Sequence, residues 1–142
     1  MVTLTIQFMN APYIIYIGKT YQVEWYFEKD GSMPGYEYYR TLSEDTKARF
    51  IVLVQHLANA QRGTFLPKTH YNIEDAAYGI YAFKPHSERL LNFMAVGRKI
   101  IVTNGFHKQS QRPRDVDKKK IEKAVRIKQD YEFRMKKGAY YA

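Results

Sequence analysis

Residues 104–114 read NGFHKQSQRPR, and they follow four β-branched residues in a row, Ile100 to Thr103. An apolar strand therefore delivers an imidazole (His107), amide side chains (Gln109 among them) and the cations Lys108, Arg112 and Arg114 to its own end. These residue types suit a polyanionic partner, because side-chain cations that neutralise phosphates release condensed counterions. The distribution of charge points the same way. Residues 1–97 hold nine Lys/Arg against nine Asp/Glu, whereas residues 98–137 hold fourteen against five, so the whole formal excess of +9 lies in the last third. A segregated excess is the electrostatic footprint of a nucleic-acid binder, although a solvated basic helix would give the same count. Other chemistries lack their residues: no His-x-x-x-His or Glu-x-x-His spacing supports a metal, no Gly-rich loop follows a strand, and no Gly-x-Ser-x-Gly elbow is present. Metal-free and cofactor-free chemistry, or binding alone, is left.

The elements that must position these residues follow from periodicity. VTLTIQF (2–8), YIIYIG (13–18) and YQVEWYF (21–27) favour strands. Pro34 can open a short helix in which Tyr36, Tyr38 and Tyr39 are packing residues with a wet hydroxyl. Ser43 caps a longer helix, with Phe50, Ile51, Val54, Leu57 and Ala58 on one face, which Gly63 is expected to stop. AAYGIYAF (76–83), RLLNFMAV (89–96) and KIIVTN (99–104) are three strands, the last two joined by a tight Gly97-Arg98 hairpin and hence antiparallel. Residues 115–137 form a third helix, capped at Asp115 or Asp117, with Ile121, Ala124, Val125, Tyr131 and Met135 on its buried stripe and a cationic back. The fold class is α+β: a small twisted antiparallel sheet with two helices on one face, the other face partly open, and a C-terminal basic helix. With 142 residues the chain is one domain, 1–142. It has no cysteine, no basic n-region with a cleavage site and no apolar run long enough to span a bilayer, so a soluble cytoplasmic protein without a membrane partner is expected.

EWYFEKDGSMPGYEYYRTL, KARFIVLVQHLANAQRG, YGIYAFK and RLLNFMAVGRKIIVTNGFHKQSQRPRDVDKKKIEKAVRIKQDY together resemble the RelE/ParE superfamily of toxins from bacterial toxin–antitoxin modules, in particular its HigB-like, phage-associated branch. The resemblance covers about residues 21–131 and leaves residues 1–20 as an N-terminal extension. It implies a RelE-like fold and a metal-independent endoribonuclease that cuts mRNA on the ribosome by letting the ribose 2′-hydroxyl attack the adjacent phosphate. It also implies a cognate antitoxin, a small helix-turn-helix protein. In this sequence the phosphate ligands would be Lys84, Arg89 and Lys108, with His107 or Tyr131 exchanging protons and Lys68, Gln109, Arg112, Arg114, Lys118, Lys119 and Arg126 along the RNA path. Two positions depart from the family pattern: Lys84 stands where an Arg is usual, and Gln109 replaces a second Lys. Those departures leave open a non-catalytic relative, a gyrase inhibitor or an inactive prophage relic. Each site residue also has an ordinary role: His107 can bond a carbonyl at a strand end, and Tyr131 falls on the apolar stripe of its helix.

Overall fold

The computed structural model describes residues 11–142; the strand expected over residues 2–8 lies outside them. Two short strands, β1 (Ile14–Ile17) and β2 (Gln22–Trp25), precede helices α1 (Pro34–Arg40) and α2 (Glu44–Asn59). Strands β3 (Tyr71–Asp75), β4 (Ile80–Phe83), β5 (Glu88–Ala95) and β6 (Lys99–His107) follow, and α3 (Asp115–Lys136) closes the chain. All six strands form one sheet in the order β1-β2-β6-β5-β4-β3. The α+β class is as expected, but the sheet is larger than expected and mixed, because β2 lies parallel to β6 while the other pairs are antiparallel.

Neither broad face of this sheet is open. Along β6, Ile100 and Val102 enter a core with Phe50, Leu53, Val54 and Leu57 of α2, whereas Ile101 and Phe106 enter a second core with Ala124, Ile127 and Tyr131 of α3. Successive side chains on a strand point to opposite faces, so the unbroken Ile-Ile-Val run belongs to a strand covered on both sides. Each such fully buried aliphatic side chain stabilises the fold by about 1.5–3 kcal/mol. The expectation of one open face is therefore corrected: α3 crosses it.

Local signals account for the element ends. Pro34 occupies the first turn of α1, where its missing N–H costs nothing. Ser43 accepts from the Thr46 N–H at the start of α2, but that helix ends at Asn59, four residues before Gly63. Gly97 and Arg98, both at positive φ, turn β5 into β6, and the two strands pair antiparallel as expected. At α3 the cap is Arg114 rather than an aspartate; Asp117, three residues on, accepts from the Arg114 backbone N–H instead. A strand not expected from the sequence, β3, precedes β4, which itself begins only at Ile80.

Candidate functional site at the end of the sheet

β5 begins and β6 ends at the same edge of the sheet, with Glu88 opposite His107 and Arg89 opposite Phe106. Phe106 belongs to the α3-side core, so Arg89 lies on that face, and Glu88 and His107 lie on the other, toward α1. There Tyr38 of α1 lays its ring on the β6 backbone at Gly105, where any Cβ would collide with it. Its hydroxyl donates to Glu88 Oε1, and Glu88 Oε2 lies 2.9 Å from His107 Nδ1. Burial first, then the Glu88 hydrogen bond and charge, push the Tyr38 hydroxyl far above its ordinary pKa, so it stays a donor. A carboxylate can only accept, which places the proton of a neutral His107 on Nδ1 and leaves Nε2 directed away from Glu88. His107 is about half exposed.

On the α3 side of the same edge, Lys84 follows β4, Arg89 is the second residue of β5 and Lys108 follows β6. Burial and the charges of Arg89 and Lys108 pull the Lys84 ammonium below its usual pKa, with Glu74 acting in the opposite sense. The three cations therefore share one patch, though they come from three strand ends. Lys84 Nζ donates to the Lys68 carbonyl at 3.0 Å. Arg89 donates to the carbonyls of His86 and Glu88, which folds its guanidinium back over the Pro85–Ser87 turn. Desolvation lowers the Arg89 pKa against the pull of Glu74, Glu88 and Asp117, and a guanidinium keeps its charge regardless.

Asp117 fixes the frame behind the patch. Its carboxylate is almost fully buried and takes the Arg114 backbone N–H at 3.0 Å, the Arg114 guanidinium at 2.9 Å and the Lys108 ammonium at 3.8 Å. Burial pushes its pKa up, but the Arg114 bonds and the Lys108 charge outweigh it and hold the group below the ordinary value. Arg114 also donates to the His107 carbonyl and the Gln109 side chain. Arg114 and Gln109 thus clamp the strand end to the helix start, whereas Arg112, Lys118 and Lys119 remain exposed beside it.

Two of the residues picked from the sequence stand apart. Tyr131 is buried between Phe93 and Tyr140, and its hydroxyl is 3.5 Å from that of Tyr141. Tyr141 in turn reaches Glu24, whose register partner on β6 is Ile101. Six residues separate Ile101 from His107, roughly 20 Å along a strand, so Tyr131 belongs to the core and is corrected from the proton-transfer set. Arg126, at the middle of α3, lines a cleft with Tyr26, Glu28 and Lys29. Glu88, Tyr38, Glu74 and Asp117 were missed; the Asp just before the triple lysine was legible only as a cap. Among the described residues no three His, Asp or Glu side chains gather to hold a metal ion, and no helix is long and apolar enough to cross a membrane.

The family model described as "Phage derived protein Gp49-like (DUF891)" matches residues 37–129. The chain belongs to this family. Gp49-like proteins form part of the RelE/ParE-like toxin superfamily, and the matched segment spans Tyr38, Lys84, Glu88, Arg89, His107, Lys108, Arg114 and Asp117 while stopping short of Tyr131. No curated protein matches the chain.

Proposed function

We propose that this Gp49-like chain is the toxin of a type II toxin–antitoxin module, on the HigB-like branch, and that it cleaves mRNA on the translating ribosome without a metal. The observation that carries this is His107, braced by Glu88 at the same sheet edge where, on the α3 side, the Lys84 ammonium feels the charges of Arg89 and Lys108. In the reaction, His107 Nε2 takes the proton of a ribose 2′-hydroxyl. The 2′-oxygen attacks the adjacent phosphorus, and the P–O5′ bond breaks to leave a 2′,3′-cyclic phosphate and a 5′-hydroxyl. Arg89 and Lys108 steady the charge on the pentavalent phosphate. The departing 5′-oxygen takes a proton from the Lys84 ammonium, whose hold on it burial has loosened. A neighbouring gene would supply the antitoxin, a small helix-turn-helix protein with an acidic segment that covers the patch.

Incubating the purified chain with translating ribosomes and mapping RNA ends tests this. Cuts that leave 2′,3′-cyclic phosphates are the expected result, and unchanged transcripts at high protein concentration overturn it. One observation favours a non-catalytic relative: Asp117 and the Lys68 carbonyl already engage Lys108 and Lys84. Inhibition of gyrase supercoiling, or growth arrest that survives replacement of Lys84, His107 and Lys108 by Ala, would decide for that alternative.

A further inference from the structure

Next to the cationic patch, on the α3 side, the sheet and the first turns of α3 enclose a concave pocket of about 360 Å³, within the size range of small-ligand sites. Phe106, Pro113 and Ile121 supply its apolar walls, Lys108, Lys118 and Asp117 form the border it shares with the patch, and Glu74 and Glu122 add carboxylates from β3 and α3, beside Asp75, whose Oδ1 already accepts the Tyr78 N–H. Among the described residues neither the Glu74 nor the Glu122 carboxylate takes part in a hydrogen bond or ion pair, whereas that of Asp117 is engaged by Arg114 and Lys108.

We infer that this pocket takes the nucleobase next to the phosphate held by Lys84, Arg89 and Lys108, and that it selects guanine. Resting on the ribonuclease proposal, the inference adds the determinant of cleavage sequence. A second phosphate is repelled by the carboxylates, so the pocket suits the neutral, flat part of a nucleotide. Apolar walls accept its faces, and carboxylates accept its N–H groups. Single-stranded RNA is read by proteins on such exposed base edges. Guanine presents two parallel donors, N1–H and N2–H, which match the two oxygens of one carboxylate. Uracil offers one N–H between two carbonyls that a carboxylate repels, and adenine and cytosine each set an acceptor beside their amino group. One well-formed bidentate contact discriminates by roughly tenfold or more.

The probe is a set of 2′-O-methyl tetranucleotides, which cannot be cut, carrying G, A, C or U at each position in turn; binding is read by fluorescence anisotropy. We expect at least about tenfold tighter binding of a G-containing probe than of its U counterpart at one position. The double variant Glu74→Gln, Glu122→Gln should cut that ratio to about threefold or less, since an amide offers guanine one acceptor and one clashing donor. The ratio is the readout because removal of carboxylates beside cations tightens every probe. A wild-type ratio near one, a preference for another base, or a guanine preference that survives in the double variant overturns the inference. RNA cutting is scored separately: guanine-selective binding without cutting removes the ribonuclease proposal alone, and cutting without guanine selectivity removes the pocket alone.

Discussion

Glu88 Oε2 lies 2.9 Å from Nδ1 of His107 across the β5–β6 pair, while its other oxygen receives the hydroxyl of Tyr38. Both carboxylate oxygens are thereby committed, and the imidazole is left with one tautomer and, among the described residues, one nitrogen without a partner, the arrangement a proton-transfer group needs. His107→Ala should lower the turnover rate of RNA cutting by roughly 10²- to 10⁴-fold. Glu88→Gln should lower kcat by about tenfold or more, because it cannot accept from both neighbours and fix the ring, while KM stays within about twofold. Steady-state kinetics on a short RNA separates the two constants. An equal rise in KM would mean that Glu88 serves binding and not the orientation of His107.

Lys84, Arg89 and Lys108 are proposed to hold one phosphate, so their removal should be felt as electrostatics. Arg89→Ala should weaken binding of a non-cleavable RNA and flatten the slope of log K against log salt by about 0.7, the share of one neutralised phosphate on a single strand. Arg89→Lys should recover the salt slope but little of the cutting rate, since an ammonium lacks the planar fork. Arg126→Ala, in the cleft with Glu28 and Lys29, should leave the cutting rate within about twofold. A salt titration of the three variants, with the cutting rate of each measured alongside, checks all three statements together.

Much of this site could be read from the order of residues, and what could not depends on pairings distant in the chain. The segregated charge, the helix behind Ser43 and the hairpin at Gly97 are local signals, and each survives in the folded chain. The β3 strand escaped because Tyr71-Asn72-Ile73-Glu74-Asp75 is a short edge strand with acidic residues at its end, a pattern that also fits a loop. The parallel pairing of β2 with β6 joins residues some 77 apart, Gln22 with Lys99, and no periodicity records it. The same holds for Tyr38, fifty residues from Glu88: among thirteen tyrosines, only the fold singles it out. Tyr131 shows the converse: its helical spacing agrees with its place in the core on the α3 side, whereas the family pattern had implied a proton-transfer role for it.

Asp117 should make stability depend on acid in a defined window. Its folded-state pKa is depressed, so its contribution is complete above the unfolded value near 3.8 and is lost as pH falls through the lower, folded value. Asp117→Asn should therefore destabilise the chain at pH 7, by about 1–3 kcal/mol if Arg114 and Lys108 are left with one poor acceptor. The difference between the variant and the wild type should then shrink as pH falls from 3.8 toward the lower, folded value. Urea unfolding at pH 7, 5 and 3 measures both curves, and parallel curves at all three pH values would remove Asp117 as the group responsible.

Tyr131→Phe tests the placement of that side chain in the core. Its ring meets Phe93 at 5.3 Å and Tyr140 at 4.6 Å, edge to face, whereas its hydroxyl has one partner, at the 3.5 Å limit of a hydrogen bond. Loss of so long a bond should cost less than about 1 kcal/mol, while Tyr131→Ala, which empties the ring's volume, should cost about 3–5 kcal/mol. Because the side chain packs at the level of Ile101, roughly 20 Å along β6 from His107, Tyr131→Phe should cut RNA within about threefold of the wild type. A hundredfold fall with unchanged urea stability would put the hydroxyl back at the reacting phosphate, and it would require the end of α3 to swing across the sheet before any chemistry occurs.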